Sequence, residues 1–363
     1  MRAFVGRRIR PRRLRLLAAA ALLGLVPNEG QQALAGLAAP PATFTGRFTP
    51  LTSGVTSRLR GVSAPSARVA WASGAGGTVL LTTDGGGAWR PRPVPGAATL
   101  DFRDIDAFDE RVAYVLSIGP GEASRIFKTR DGGASWHEQF RNRDPKWFLD
   151  AMAFWDERHG IAVSDSVEGR FVILLTGDAG RRWTPVPAEG LPPALPNEGA
   201  FAASGTNVAV DSADLAWFAT TAGRVLWTRN RGRTWSAAPT PLATGPSAGI
   251  FSVAFRDARH GVVVGGDYKK EGEAIDNAAF SEDGGVTWQR GVGLSGFRSV
   301  VAHRPGRDAF WIALGPSGAD VSSDDGRNWT RVDAPGCHAF SFSRDGASGF
   351  CVGEEGRIAR LGL

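Results

Sequence analysis

Thr82-Thr83-Asp84-Gly85-Gly86-Gly87-Ala88-Trp89 is a phrase that this chain of 363 residues writes six times. The other copies occupy 129–136, 176–183, 228–235, 281–288 and 322–329, each opening on Thr or Ser and ending on Trp. The shared pattern is Ser/Thr-x-Asp-x-Gly-x-x-Trp, with Asn230 in place of the Asp in the fourth copy. Its third positions, Asp84, Asp131, Asp178, Asn230, Asp283 and Asp324, are 47, 47, 52, 53 and 41 residues apart. That interval marks a stacked repeat and fits a blade of four strands.

The phrase spells out a hairpin. The Asp or Asn oxygen is expected to accept backbone N–H groups two residues on and close the turn. The Gly two positions after it supplies the positive φ such a turn requires. The Trp is expected to pack the outer hairpin onto its own blade. Six equivalent carboxylates read as fastenings, since catalysis requires one or two distinctive ones.

Ahead of the repeats, Arg7, Arg8, Arg10, Arg12, Arg13 and Arg15 precede an apolar run over 16–26, and Ala33-Leu34-Ala35 follows. Basic, apolar and small-residue regions in that order predict a Sec-type signal peptide over 1–35, cleaved or retained as an anchor. Export to the periplasm or medium is the expected location. The formal charge of +6 belongs to this leader: residues 1–35 hold seven of 42 basic residues and one of 36 acidic ones, leaving 35 of each. Without the leader no basic surface remains for a nucleic acid.

The 328 residues after the leader allow about 47 for each of seven blades, matching the repeat interval. An all-β, seven-bladed propeller is therefore predicted over 47–363, preceded by a linker over 36–46, as a monomer with no transmembrane segment. Strands a to d run outward from the axis, with the repeated phrase between c and d. Blade 7 shows only three strands, over 339–342, 350–353 and 358–361. Residues 47–51 are expected to supply the fourth and close the ring.

In this arrangement the a–b and c–d turns share one face, and the b–c loops and d–a connections share the other. Four segments of the second face are elaborated, over 164–170, 187–206, 239–250 and 265–277, all in blades 3 to 5. Loops on a rigid frame carry function, so Asp165, Glu198, Ser204, Asp267 and Tyr268 are the candidate ligand-binding residues. They would suit a sugar or peptide, or supply paired carboxylates for glycoside hydrolysis. Solvated loops without a specific task fit the same residues.

Cys337 and Cys351, the two cysteines, flank a predicted hairpin, where a disulfide and two buried thiols both fit. The five histidines show no metal-ligand spacing, and two of them, His159 and His260, recur in matching a–b turns. No cofactor motif, phosphate loop or nucleophile–base pair stands out.

The phrase resembles the Asp-box of sialidases and related propellers. Their Phe-Arg-Ile-Pro motif is absent here, and of two tyrosines only Tyr268 suits a nucleophile, Tyr114 lying in an apolar strand. A fuller resemblance, carried by Leu80-Leu81-Thr82-Thr83-Asp84-Gly85-Gly86 with Trp89, is to the photosystem II stability/assembly factor family. It implies an exported seven-bladed propeller that binds a protein partner in the cell envelope. Photosynthetic members chaperone a reaction-centre subunit partly through an arginine patch, which this sequence does not mark out. Binding of a protein or glycan is the expected function, with a sialidase-like glycoside hydrolase as the alternative.

Overall fold

The first strand of each sheet touches the first strand of both neighbouring sheets, and the strand Leu59–Ser63 meets Ala339–Phe342 to complete the circle. The computed structural model describes residues 44–211, 214–307 and 309–363. The expected leader and most of the expected linker lie outside them. Seven sheets of four antiparallel strands surround the axis. Strands a of blades 1 to 6 are Leu59–Ser63, Asp101–Ala107, Leu149–Phe154, Val208–Asp211, Ala248–Phe255 and Val300–His303. Blade 7 is Ala339–Phe342, Ser348–Val352 and Ile358–Gly362 with Arg47–Leu51 outermost, Phe48 facing Leu361 and Leu51 facing Ile358. The first and last strands of the described residues thus share one sheet, as the count of strands required. Phe44 continues this edge and stacks on Phe310 of blade 6 at 6.1 Å. No helix among the described residues is long and apolar enough to cross a membrane.

The repeated turn closes by a slightly different bond set from the one expected. In blade 1 the Thr82 hydroxyl donates to Asp84 Oδ1 at 2.8 Å and accepts the Gly86 N–H at 2.9 Å. The Asp carboxylate reaches four residues on, to the Ala88 N–H at 3.0 Å. The hydroxyl, not the acid, therefore holds the glycine, which has φ 94°. Asn230 makes the same bonds to Thr228 and Thr234. The Ser135 hydroxyl and N–H hold the Asp131 carboxyl down to about 2. Such groups are standing acceptors, unsuited to exchanging protons near neutral pH.

The core lies between blades rather than within them, which changes the role of the repeated Trp. Trp89 of blade 1 stands edge-on to Phe350 of blade 7 at 6.0 Å, and Trp136 of blade 2 stands edge-on to Trp71 of blade 1 at 6.1 Å. Trp235, Trp288 and Trp329 likewise join apolar clusters shared with the preceding blade. A four-stranded sheet has two apolar faces, and a slab at its outer corner fills the gap to the next sheet.

Around the axis the strands are also tied from blade to blade. Asp104 Oδ2 of blade 2 accepts the Met152 N–H of blade 3 at 2.7 Å, and Ser252 of blade 5 accepts the Val301 N–H of blade 6 at 3.0 Å. Cys337 and Cys351 are joined by a disulfide in blade 7, with Cα atoms 5.9 Å apart.

Candidate functional site

Four of the inner strands carry a β-bulge near their start, where the pairing register skips Arg60, Arg103, Asp150 and Phe251. A bulge inserts a residue that the ladder does not use and re-aims its side chain. All four of these residues line one cavity of about 570 Å³ at the mouth of the axis. It opens on the face of the b–c loops and d–a connections, which add Phe148, Asp165, residues 200–203, Tyr268, Glu271, Phe297, Pro316 and Glu354. His338, just before strand a of blade 7, completes the wall.

The cavity has differentiated sides. Blades 7, 1 and 2 contribute Arg60, Arg103 and His338. Arg103 is held by Asp101 at 2.9 Å and donates to the Ala202 carbonyl at 2.7 Å. Burial, with Arg103 and Arg58 nearby, pushes the Arg60 guanidinium down to about 10, so it stays charged at neutral pH. Burial and the Arg60 charge push the His338 imidazole down to about 4, while its Nε2 meets Glu354 Oε1 at 2.6 Å. Blades 4 to 6 contribute an aromatic group: Phe201 lies flat on Phe251 at 3.8 Å, Phe297 stands edge-on to Phe251, and Tyr268 stands edge-on to Phe201 and Phe251. Blade 3 contributes Asp150 and Asp165.

Only two of the five candidates read from the sequence line this cavity. Asp165 does, with Oδ1 accepting the Ala200 N–H at 2.8 Å and burial raising its carboxyl above the usual range. Tyr268 does, with 44% of its surface exposed. Glu198, only 2% exposed, is a buried brace: Arg224 Nε, the Thr220 hydroxyl and the Leu195 N–H occupy both its oxygens, at 2.9, 2.6 and 2.7 Å. Ser204 is buried as well, donating to the Ser299 carbonyl at 2.9 Å. Asp267 lies outside the lining, where the Ser247 hydroxyl and the Lys269 N–H lower its carboxyl. The carboxylate pairs drawn from Asp165, Glu198 and Asp267 therefore do not assemble in one cavity.

One elaborated loop also proves to be regular structure. Residues 164–170 extend the hairpin of Gly160–Val167 and Arg170–Thr176, turning at Glu168 and Gly169 with φ 52° and 77°. Two successive positive φ values are what a two-residue hairpin turn demands. The residues that sequence reasoning missed, Arg60, Arg103, Asp150 and Phe251, had a signal. Three of them follow the first buried residue of an inner strand, in Leu-Arg-Gly, Phe-Arg-Asp and Leu-Asp-Ala, whereas Phe251 stands fourth in its strand.

No family model and no curated protein matches the sequence. Solved structures match its shape. The likeness is to YCF48. YCF48 bound to a D1 peptide aligns with TM-score 0.60 at 19% identity, over 89% of this chain and 99% of that one. YCF48 from Cyanidioschyzon merolae aligns with TM-score 0.60 at 16% identity, over 87% and 98%. YCF48 is a photosystem II assembly factor, so this likeness in shape falls on the propellers that the repeated phrase resembles. U3-55K aligns as well, with TM-score 0.61 at 12% identity over 87% and 98%. Near-equal scores for differently named proteins make this a likeness of fold.

Proposed function

We propose that this chain is an exported propeller that acts by binding, with the axial cavity holding part of a protein or glycan partner in the cell envelope. The observation that carries this reading is the lining itself. Bulges in four blades direct guanidinium, carboxyl and aromatic side chains into one space large enough for a few residues or sugar rings. A rigid frame with a differentiated pocket and no assembled nucleophile–base pair suits recognition better than turnover. A YCF48 propeller of the same shape has been seen with a D1 peptide bound, which favours a protein over a glycan as the partner. The elaborated segments of blades 4 and 5 contribute Phe201 and Tyr268 to the aromatic side, and blades 7, 1 and 2 contribute the basic side.

The test is capture from a cell-envelope extract by the immobilised protein. Arg60→Ala with Tyr268→Ala should leave the thermal midpoint nearly unchanged and abolish specific capture. Capture that survives both changes would remove the cavity from the reading. Turnover of a glycoside abolished by the same changes would replace binding with hydrolysis.

Export has its own check. The mass of the protein recovered from the envelope or medium should correspond to a chain beginning near residue 36. A full-length product confined to the cytosol would contradict it.

A further inference from the structure

Among the described residues, buried acids have partners, with one exception. Glu198 is braced by Arg224, Asp320 by Arg298 and Asp325 by Arg256. Asp104 and Asp106 accept backbone N–H groups of blade 3. Asp150 is 1% exposed, and among the described residues it is the one buried carboxyl whose two oxygens both lack a hydrogen-bond partner. It nevertheless lines the cavity, because the bulge in its strand turns it out of the ladder. Leaving a buried polar group unpaired is costly, so such a group in a cavity wall points to a partner that arrives from outside.

The surroundings specify that partner's charge. Burial raises the Asp150 carboxyl well above the usual range, and the charge of Asp165, on the adjacent strand, adds to it. A buried carboxyl near a second carboxyl resists ionisation until a cation sits with it. Arg103, the nearest bulge cation in chain order, is already taken by Asp101 and the Ala202 carbonyl. The Ala200 N–H that binds Asp165 leads directly into Phe201, so Asp165 adjoins the aromatic group of Phe201, Phe251 and Tyr268, and Asp150 shares their cavity. Carboxyls beside ring faces form a seat for an ammonium or guanidinium, held by charge-assisted hydrogen bonds and by the rings.

We infer that the Asp150–Asp165 wall is the receptor for one basic side chain, lysine or arginine, of a peptide segment that enters the axial cavity. The inference rests on the binding reading above and narrows it to a protein partner, since a neutral glycan carries no cation.

The probe is the acetylated, amidated pentapeptide Ala-Ala-Lys-Ala-Ala, titrated into the whole protein by NMR alongside the same peptide bearing Nε-acetyl-lysine. The lysine peptide is expected to bind about tenfold or more tightly than its acetylated counterpart. Asp150→Asn, which keeps the side chain's shape, should erase that preference. Asp165→Asn, at a less buried position, gives the same reading if the first variant does not fold. Equal binding of the two peptides, binding of neither, or a preference that survives in the folded variants would overturn the proposal. If it falls while capture still depends on Arg60 and Tyr268, the cavity remains a binding site for another chemistry. If capture is independent of those residues too, both readings fall.

Discussion

Trp183→Ala should lower the free energy of unfolding by about 3–5 kcal/mol, the range for truncating a large buried aromatic. Trp183 is 8% exposed and stands edge-on to Phe154 at 5.9 Å. Its cluster includes Tyr114, Leu116 and Ile126 of blade 2 as well as Met152 and Leu174 of blade 3. Removing it therefore opens a cavity at a joint between two sheets, where neither can collapse without shifting the other. Its indole nitrogen has no hydrogen-bond partner, so the loss is one of packing. Trp235 occupies the matching place in blade 4 and also donates to the Gly232 carbonyl at 2.8 Å, so Trp235→Ala should cost at least as much. Denaturant unfolding with matched slopes is the measurement. A loss below about 1 kcal/mol would show that the Trp rests on the blade rather than between blades.

Arg298→Met should be comparably damaging, at about 3–5 kcal/mol, because it strands a buried carboxylate. Arg298 and Asp320 are both fully buried in blade 6, with the guanidinium Nη2 2.6 Å from Asp320 Oδ2. The same guanidinium donates to Ser295, Ser317 and the Phe297 carbonyl at 2.6, 3.0 and 2.8 Å. It thereby pins the connection bearing Phe297, one of the cavity aromatics, to strand c. Pairing the change with Asp320→Leu removes the stranded charge and should recover a substantial part of the loss. A double variant no more stable than Arg298→Met would show that the cost lies in the serine and carbonyl bonds, not in the unpaired acid. Capture of a partner should weaken in the single variant, since Phe297 loses its anchor.

These two side chains divide what could be read early from what could not. Trp183 was legible because it recurs: one phrase, repeated at nearly constant spacing, reports the same local geometry each time. The bonds that shape the phrase span two to four residues, from Thr82 to Asp84, Gly86 and Ala88. Interactions that short are determined by the order of neighbouring residues. The blade count and the closing role of Arg47–Leu51 followed from the same regularity, since seven sheets of four strands leave one strand to be found. Which blade face the Trp fills did not follow, because a sheet presents two.

Arg298 draws no notice in the sequence, and Glu198 reads there as a ligand-binding candidate. Their partners lie 22 and 26 residues away, on strands that fold back beside them. The lining of the axial cavity depends on distant pairing in the same way. Loop length drew attention to Glu198, Ser204 and Asp267, whereas a one-residue slip in four inner strands decided that Arg60, Arg103, Asp150 and Phe251 would face the axis. Local sequence determined the repeated turn, the blade and the number of blades. The register of each inner strand against its neighbour, which assigns a side chain to ladder, core or cavity, was settled only when seven sheets packed around one axis.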